Sequence, residues 1–173
     1  PPAFAALLRP PATAAPRPDR RSRQRPRPGL LLPYGYTPDM EPGGKLWESL
    51  AGSGPVRPQV YGIVMPWGVI HERVLHRHPA FMANNPKISD REARLHGAAR
   101  LRAWIDTYGG QHTGLAAVVA GPFIPVWNRA IVGSPFASKV KLIAIPRGGR
   151  SNPWGYARRQ VGSYLTRVSG GRR

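Results

Sequence analysis

Proline decides where this chain can be regular. Eleven of its 21 prolines fall in residues 1–45, among them the pairs Pro1-Pro2 and Pro10-Pro11. Proline fixes φ and lacks an amide donor, so a stretch this dense in it carries no regular helix and is expected to run extended, in polyproline-II character. Inside it, residues 17–28 read RPDRRSRQRPRP, which makes the segment a basic arm. The first fifteen residues, PPAFAALLRPPATAA, are small, apolar and free of acid, which is how part of an organellar transit peptide reads, although the prolines oppose the amphipathic helix such a peptide forms.

Regular structure is expected further on. QVYGIVM, residues 59–65, reads as a buried strand stopped by Pro66. Residues 89–92, SDRE, form a capping box, and Ala93, Gly97, Ala98, Leu101, Trp104, Ile105 and Tyr108 recur at helical spacing before Gly109-Gly110 ends the run. The opposite face of that helix carries Arg91, Arg94, Arg100 and Arg102, expected to be solvated. TGLAAVVAGPFIPVW, residues 113–127, holds no charge, but a membrane span needs about 20 apolar residues and the prolines interrupt this one. It is expected to form one or two buried strands or to pack on another protein. Residues 139–145, KVKLIAI, suit a strand entering a core.

The sequence therefore predicts an α+β chain. A small mixed core of a few strands and one clear helix, about residues 89–108, carries a long extended Pro/Arg-rich arm and a basic tail. The division expected is an arm over 1–45, a globular core over 46–145 and a basic Gly/aromatic extension over 146–173.

Charge narrows the function. Twenty-six basic residues stand against eight acidic ones, a formal net charge of +18, and four lysines leave 22 arginines. Such an excess repels itself unless a polyanion or an acidic partner neutralises it, and the arginine fork pairs with two phosphate oxygens while its face stacks on bases. The last carboxylate is Asp106, so residues 107–173 hold ten basic residues and no acid. General acid/base pairs, Ser-His-Asp triads and magnesium sites draw on carboxylates, so this half supplies none of them and no enzyme is expected. With no cysteine, thiol nucleophiles and Cys-based metal sites are also absent.

HERVLHRH, residues 71–78, has the look of a zinc-protease motif without its spacing. His71 and His76 are five apart, about 140° around a helix, and Arg73 and Arg77 oppose a dication. Neither a metal site nor any other cofactor is expected.

The C-terminal stretch PRGGRSNPWGYARRQVGSYLTRVSGGRR interleaves arginine, glycine and aromatics, a pattern suited to single-stranded or irregular RNA. A helix over about 155–168 is expected there, with Ala157, Val161, Tyr164, Leu165 and Val168 inward, even though Tyr164 also offers a flat face for stacking. Candidate RNA-binding residues are Arg17, Arg20, Arg21, Arg23, Arg25 and Arg27 in the arm. In the tail they are Arg147, Arg150, Trp154, Tyr156, Arg158, Arg159, Arg167, Arg172 and Arg173.

A basic arm, a small core and a basic tail together resemble the layout of ribosomal proteins. The resemblance implies a structural RNA-binding ribosomal subunit, and the import-like N-terminus turns the expectation toward an organellar ribosome, by preference that of the mitochondrial matrix, with a plastid left open. Its partners would be rRNA and neighbouring ribosomal proteins, with no small-molecule substrate and no transmembrane span. The alternative is an accessory subunit of a mitochondrial respiratory-chain or ATP-synthase complex, with residues 113–127 against membrane subunits.

Overall fold

A computed structural model describes residues 26–64, 68–71, 90–146 and 152–169. The arm's residues 1–25, the HERVLHRH motif after His71 and the capping-box residue Ser89 lie outside the described residues.

Five strands form one sheet: β1 (Gly29–Pro33), β2 (Gln59–Val64), β3 (Gly68–His71), β4 (Leu115–Val119) and β5 (Val140–Ala144), in the order β3-β2-β1-β4-β5. Four of them run parallel and β3 is antiparallel to β2. Among the described residues four helices pack around the sheet: α1 (Lys45–Ala51), α2 (Asp90–Tyr108), α3 (Ile124–Ile131) and α4 (Pro153–Val168). The mixed core is as expected, but four helices stand where one was clear in the sequence.

Strand alternation divides the core. Leu30, Leu32, Val60, Ala116 and Val118 face α1 and α4, meeting Trp47, Leu50, Ala157, Val161 and Leu165. Their neighbours Leu31, Tyr61, Ile63, Leu115, Ala117 and Val119 face α2 and α3, meeting Leu101, Trp104, Ile105, Val126 and Trp127. A sheet covered on both faces needs apolar side chains at every position of its central strands, which is why β1 and β4 read as unbroken runs, LLL and LAAVV.

Two expectations need correcting. Residues 29–33, assigned to the extended arm, are extended, but as the central strand of the sheet: Leu30 and Leu32 are fully buried. The prolines at either end, Pro28 and Pro33, occupy strand termini, where a missing amide costs no ladder bond. The second half of 113–127 is helical rather than a strand. Pro122 opens a 3-10 turn, Gly121–Phe123, and Pro125 sits in the first turn of α3, where its amide would be unpaired anyway.

The C-terminal helix forms as expected and begins two residues earlier. Asn152 caps it, accepting a hydrogen bond of 2.7 Å from the Gly155 amide, and Pro153 takes the first helical position. It packs tightly on the end of α1, since a Cβ at Gly162 would lie 2.8 Å from the Ser53 carbonyl oxygen.

Pairing along the sheet is uneven in a way that matters below. The β1–β2 ladder extends to Pro33 and Ile63, and β4–β5 to Val119 and Ala144, but β1 and β4 are paired only as far as Leu31 and Ala117. The sheet therefore parts at its centre, at the carboxyl ends of the strands.

Candidate nucleic-acid interface

Helix α4 turns Ala157, Val161 and Leu165 into the core, and the 100° step then puts Arg158, Arg159, Ser163 and Thr166 outward. Alongside runs the C-terminal end of α1, and between the two lies an open groove of about 500 Å³ with Ser49 and Ser53 on its far wall. Gly162 forms part of that lining, and the close approach of α1 and α4 at this glycine keeps the groove narrow. From Arg158 to Thr166 the groove spans about 12 Å of helix axis.

Its electrostatics follow from what is missing. Arg158 and Arg159 are exposed and have no carboxylate partner among the described residues, and α4 contains no acid. Glu48, the carboxylate of α1, is engaged elsewhere: Arg57 Nη1 donates to it at 2.9 Å and the Gly43 amide at 3.1 Å. The hydroxyls divide into two kinds. Ser53 and Thr166 each donate at 2.7 Å to a carbonyl one turn back, whereas Ser49 and Ser163 have no partner among the described residues. The groove thus offers two guanidinium forks and two free hydroxyls, a donor set suited to successive phosphate oxygens.

The other candidates distribute as follows. Arg167 is exposed, with its guanidinium 5.2 Å from the Tyr164 ring centroid. Trp154 and Tyr156 are half-buried, and Trp154 meets Tyr36 edge to face at 5.9 Å between centroids. Arg27 is exposed, donates to Gln59 Oε1 at 3.1 Å, and lies beside the first strand rather than near α4. Arg17, Arg20, Arg21, Arg23, Arg25, Arg147, Arg150, Arg172 and Arg173 lie outside the described residues. Tyr164 is no stacking platform: it is buried, and its hydroxyl donates to the Lys139 carbonyl at 2.6 Å.

Of the arginines of α2, Arg91 is exposed as expected, but Arg94, Arg100 and Arg102 are not a solvated face. Arg102 donates to Asp106 at 2.8 Å and to the carbonyls of Val132 and Gly133 at 2.6 and 2.8 Å, while Ser134 donates to the other Asp106 oxygen at 2.7 Å. Desolvation is the largest single influence on that carboxyl and raises its pKa, but the Ser134 hydrogen bond, the Arg102 hydrogen bond and the Arg102 charge together outweigh it and hold the carboxyl below the usual range. This clamp ties α2 to the turn after α3. Arg94 reaches the Pro122 carbonyl at 2.7 Å and lies over the Phe123 ring. Arg100 is buried at 4% exposure, its Nε and Nη1 have no acceptor, and burial draws its pKa down to about 10, which leaves it cationic at neutral pH. At 300° around the helix from Gly97, Arg100 lies at the border of the apolar face, so periodicity alone places it ambiguously.

Sequence reasoning also missed a buried polar link. His112 Nδ1 donates to the Arg27 carbonyl at 3.1 Å, which leaves Nε2 to accept from the Tyr61 hydroxyl at 2.8 Å. Burial holds this imidazole below its ordinary pKa, so the neutral ring is the form that fits. The link fastens the chain just ahead of β1 to the core. A lone His in a Gly-rich turn gave no signal for it.

No family model matches the sequence, and no curated protein matches it. Among solved structures, the crystal structure of AF0587, a protein of unknown function, superposes with a TM-score of 0.47 at 15% identity over 78% of this chain. The chain spans 44% of the length of that structure.

Proposed function

We propose that this protein is a non-catalytic RNA-binding scaffold, a structural subunit of an organellar ribosome that neutralises rRNA phosphates and bridges neighbouring proteins. The observation that carries the reading is the α1–α4 groove, where Arg158 and Arg159 stand exposed without a counter-charge beside two free hydroxyls. In a chain of net charge +18 such a surface favours a polyanion, because each neutralised phosphate releases condensed counterions. The arms, with Arg17 to Arg27 and Arg147 to Arg173, would extend the same contact beyond the groove.

The membrane-complex alternative drew on the apolar stretch 113–127. Leu115 to Val119 are each at most 2% exposed inside this chain's own core, so they offer no surface to a membrane subunit. Among the described residues no helix is long and apolar enough to cross a membrane.

The test is sedimentation of native organellar lysate with and without ribonuclease, following the chain by mass spectrometry. Migration with ribosomal particles, lost on digestion of the RNA, supports the reading. Persistence in a detergent-solubilised membrane complex indifferent to ribonuclease would overturn it.

A further inference from the structure

In open parallel sheets, ligands bind outside the carboxyl ends of the strands where neighbouring connections leave to opposite faces. Here that point falls between β1, whose connection passes through α1 on one face, and β4, whose connection passes through α3 on the other. It is also where the β1–β4 ladder stops, at Leu31 and Ala117, two residues short of the ladders on either side. A cleft of about 160 Å³ occupies the gap. Tyr34, Tyr36, Phe123 and Trp127 line it with Val118 and Ala120, and no charged side chain is among its lining residues.

Size and chemistry restrict the occupant. A cavity of about 150 Å³ takes a single benzene ring, so this cleft has room for one small planar ring system and not for a dinucleotide. Its aromatic walls favour a flat π-face, and the lack of charge excludes a phosphate from the cleft itself. Trp127 lines the cleft at 1% exposure, and its indole N–H is buried away from it. Tyr36 is 51% exposed at the rim and touches Trp154, which stands in the first turn of α4, the helix that carries Arg158 and Arg159. The rim thus adjoins the first turn of α4, one helical turn ahead of Arg158.

We infer that the cleft between the carboxyl ends of β1 and β4 receives a single planar nucleobase, stacked among Tyr34, Tyr36 and Phe123. The inference rests on the RNA-binding reading for its attachment to a backbone, and a free nucleoside offers the same ring chemistry. An unpaired base held there would anchor a strand whose phosphates follow α4.

The test compares short oligoadenylate and oligouridylate with abasic oligomers of the same length, by fluorescence anisotropy on the full chain, alongside adenosine and uridine by saturation-transfer NMR. Base-containing strands are expected to bind on the order of tenfold more tightly than abasic ones. Ala120→Phe, which fills the cleft, is expected to remove that difference and leave abasic binding unchanged. Tyr36→Ala, which deletes an exposed ring at the rim, is expected to reduce it several-fold. Should Ala120→Phe lose its circular dichroism signature of folding, Tyr36→Ala decides alone. Equal binding of base-containing and abasic strands, both weakened by Arg158→Gln with Arg159→Gln, overturns the cleft inference and leaves the RNA reading standing. Absence of any RNA binding overturns the RNA reading instead; saturation transfer to a nucleoside, lost in the cleft variants, then keeps the cleft as a free-nucleoside site, and its absence overturns that too.

Discussion

Replacing Arg158 and Arg159 together by Gln removes two cations from the groove without breaking any ion pair among the described residues. If each engages one phosphate of a single strand, the slope of log K against log salt should become shallower by about 1.4, from about 0.7 per phosphate. The affinity loss is then itself salt-dependent: about 25-fold at 0.1 M salt, about tenfold at 0.2 M, and vanishing toward 1 M. The assay is a salt titration of single-stranded RNA binding by anisotropy, with urea midpoints of both proteins as the folding control. Exposed substitutions of this kind shift stability by no more than about 0.5 kcal/mol, so a binding change cannot be traced to unfolding. A loss equal at every salt concentration, or no loss at all, would refute the assignment of these guanidiniums to phosphates.

Three further expectations concern the core. Leu32→Ala, at a fully buried position of the central strand, should cost about 2–5 kcal/mol in urea unfolding; a cost typical of an exposed arm would remove β1 from the sheet. Arg100→Met should stabilise the protein by about 1 kcal/mol or more, because a buried cation whose Nε and Nη1 have no acceptor among the described residues is exchanged for an apolar side chain of similar length; a comparable loss in the urea midpoint would show that these nitrogens have a partner. His112 is held below its ordinary pKa in the folded chain, so the unfolded chain binds the proton first as pH drops, and stability should fall as pH descends from about 6.5 toward 5. Urea midpoints across that range should decline less steeply for His112→Asn than for the parent, and parallel profiles would contradict the buried neutral ring.

Much of the local structure was legible because short-range patterns dictate it. The 3.6-residue recurrence from Gly97 to Ile105 gave α2 and its inner face, and Ala157, Val161 and Leu165 gave α4. β2 and β5 announced themselves by length and by the prolines and charges that bound them. What failed were segments whose surroundings disguised them. β1 is three leucines between prolines in a stretch that averages as an arm, and α3 carries in its first turn a proline that punctuates in isolation but is at home there. Arg94 and Arg102 of α2 were misplaced because charge argues for solvent, while they find carbonyls and a carboxylate across the fold.

By itself, then, the sequence determined the sign of the chain's own charge and much of the regular structure: +18 with no carboxylate after Asp106 is a property of composition, and periodicity needs no neighbour to be read. The tertiary structure alone decided which of the described arginines are available and where a ring could dock. Whether a guanidinium is clamped, buried or free depends on the carbonyls and carboxylates that distant segments bring to it. The cleft exists only because parallel strands far apart in the chain stop pairing at different heights.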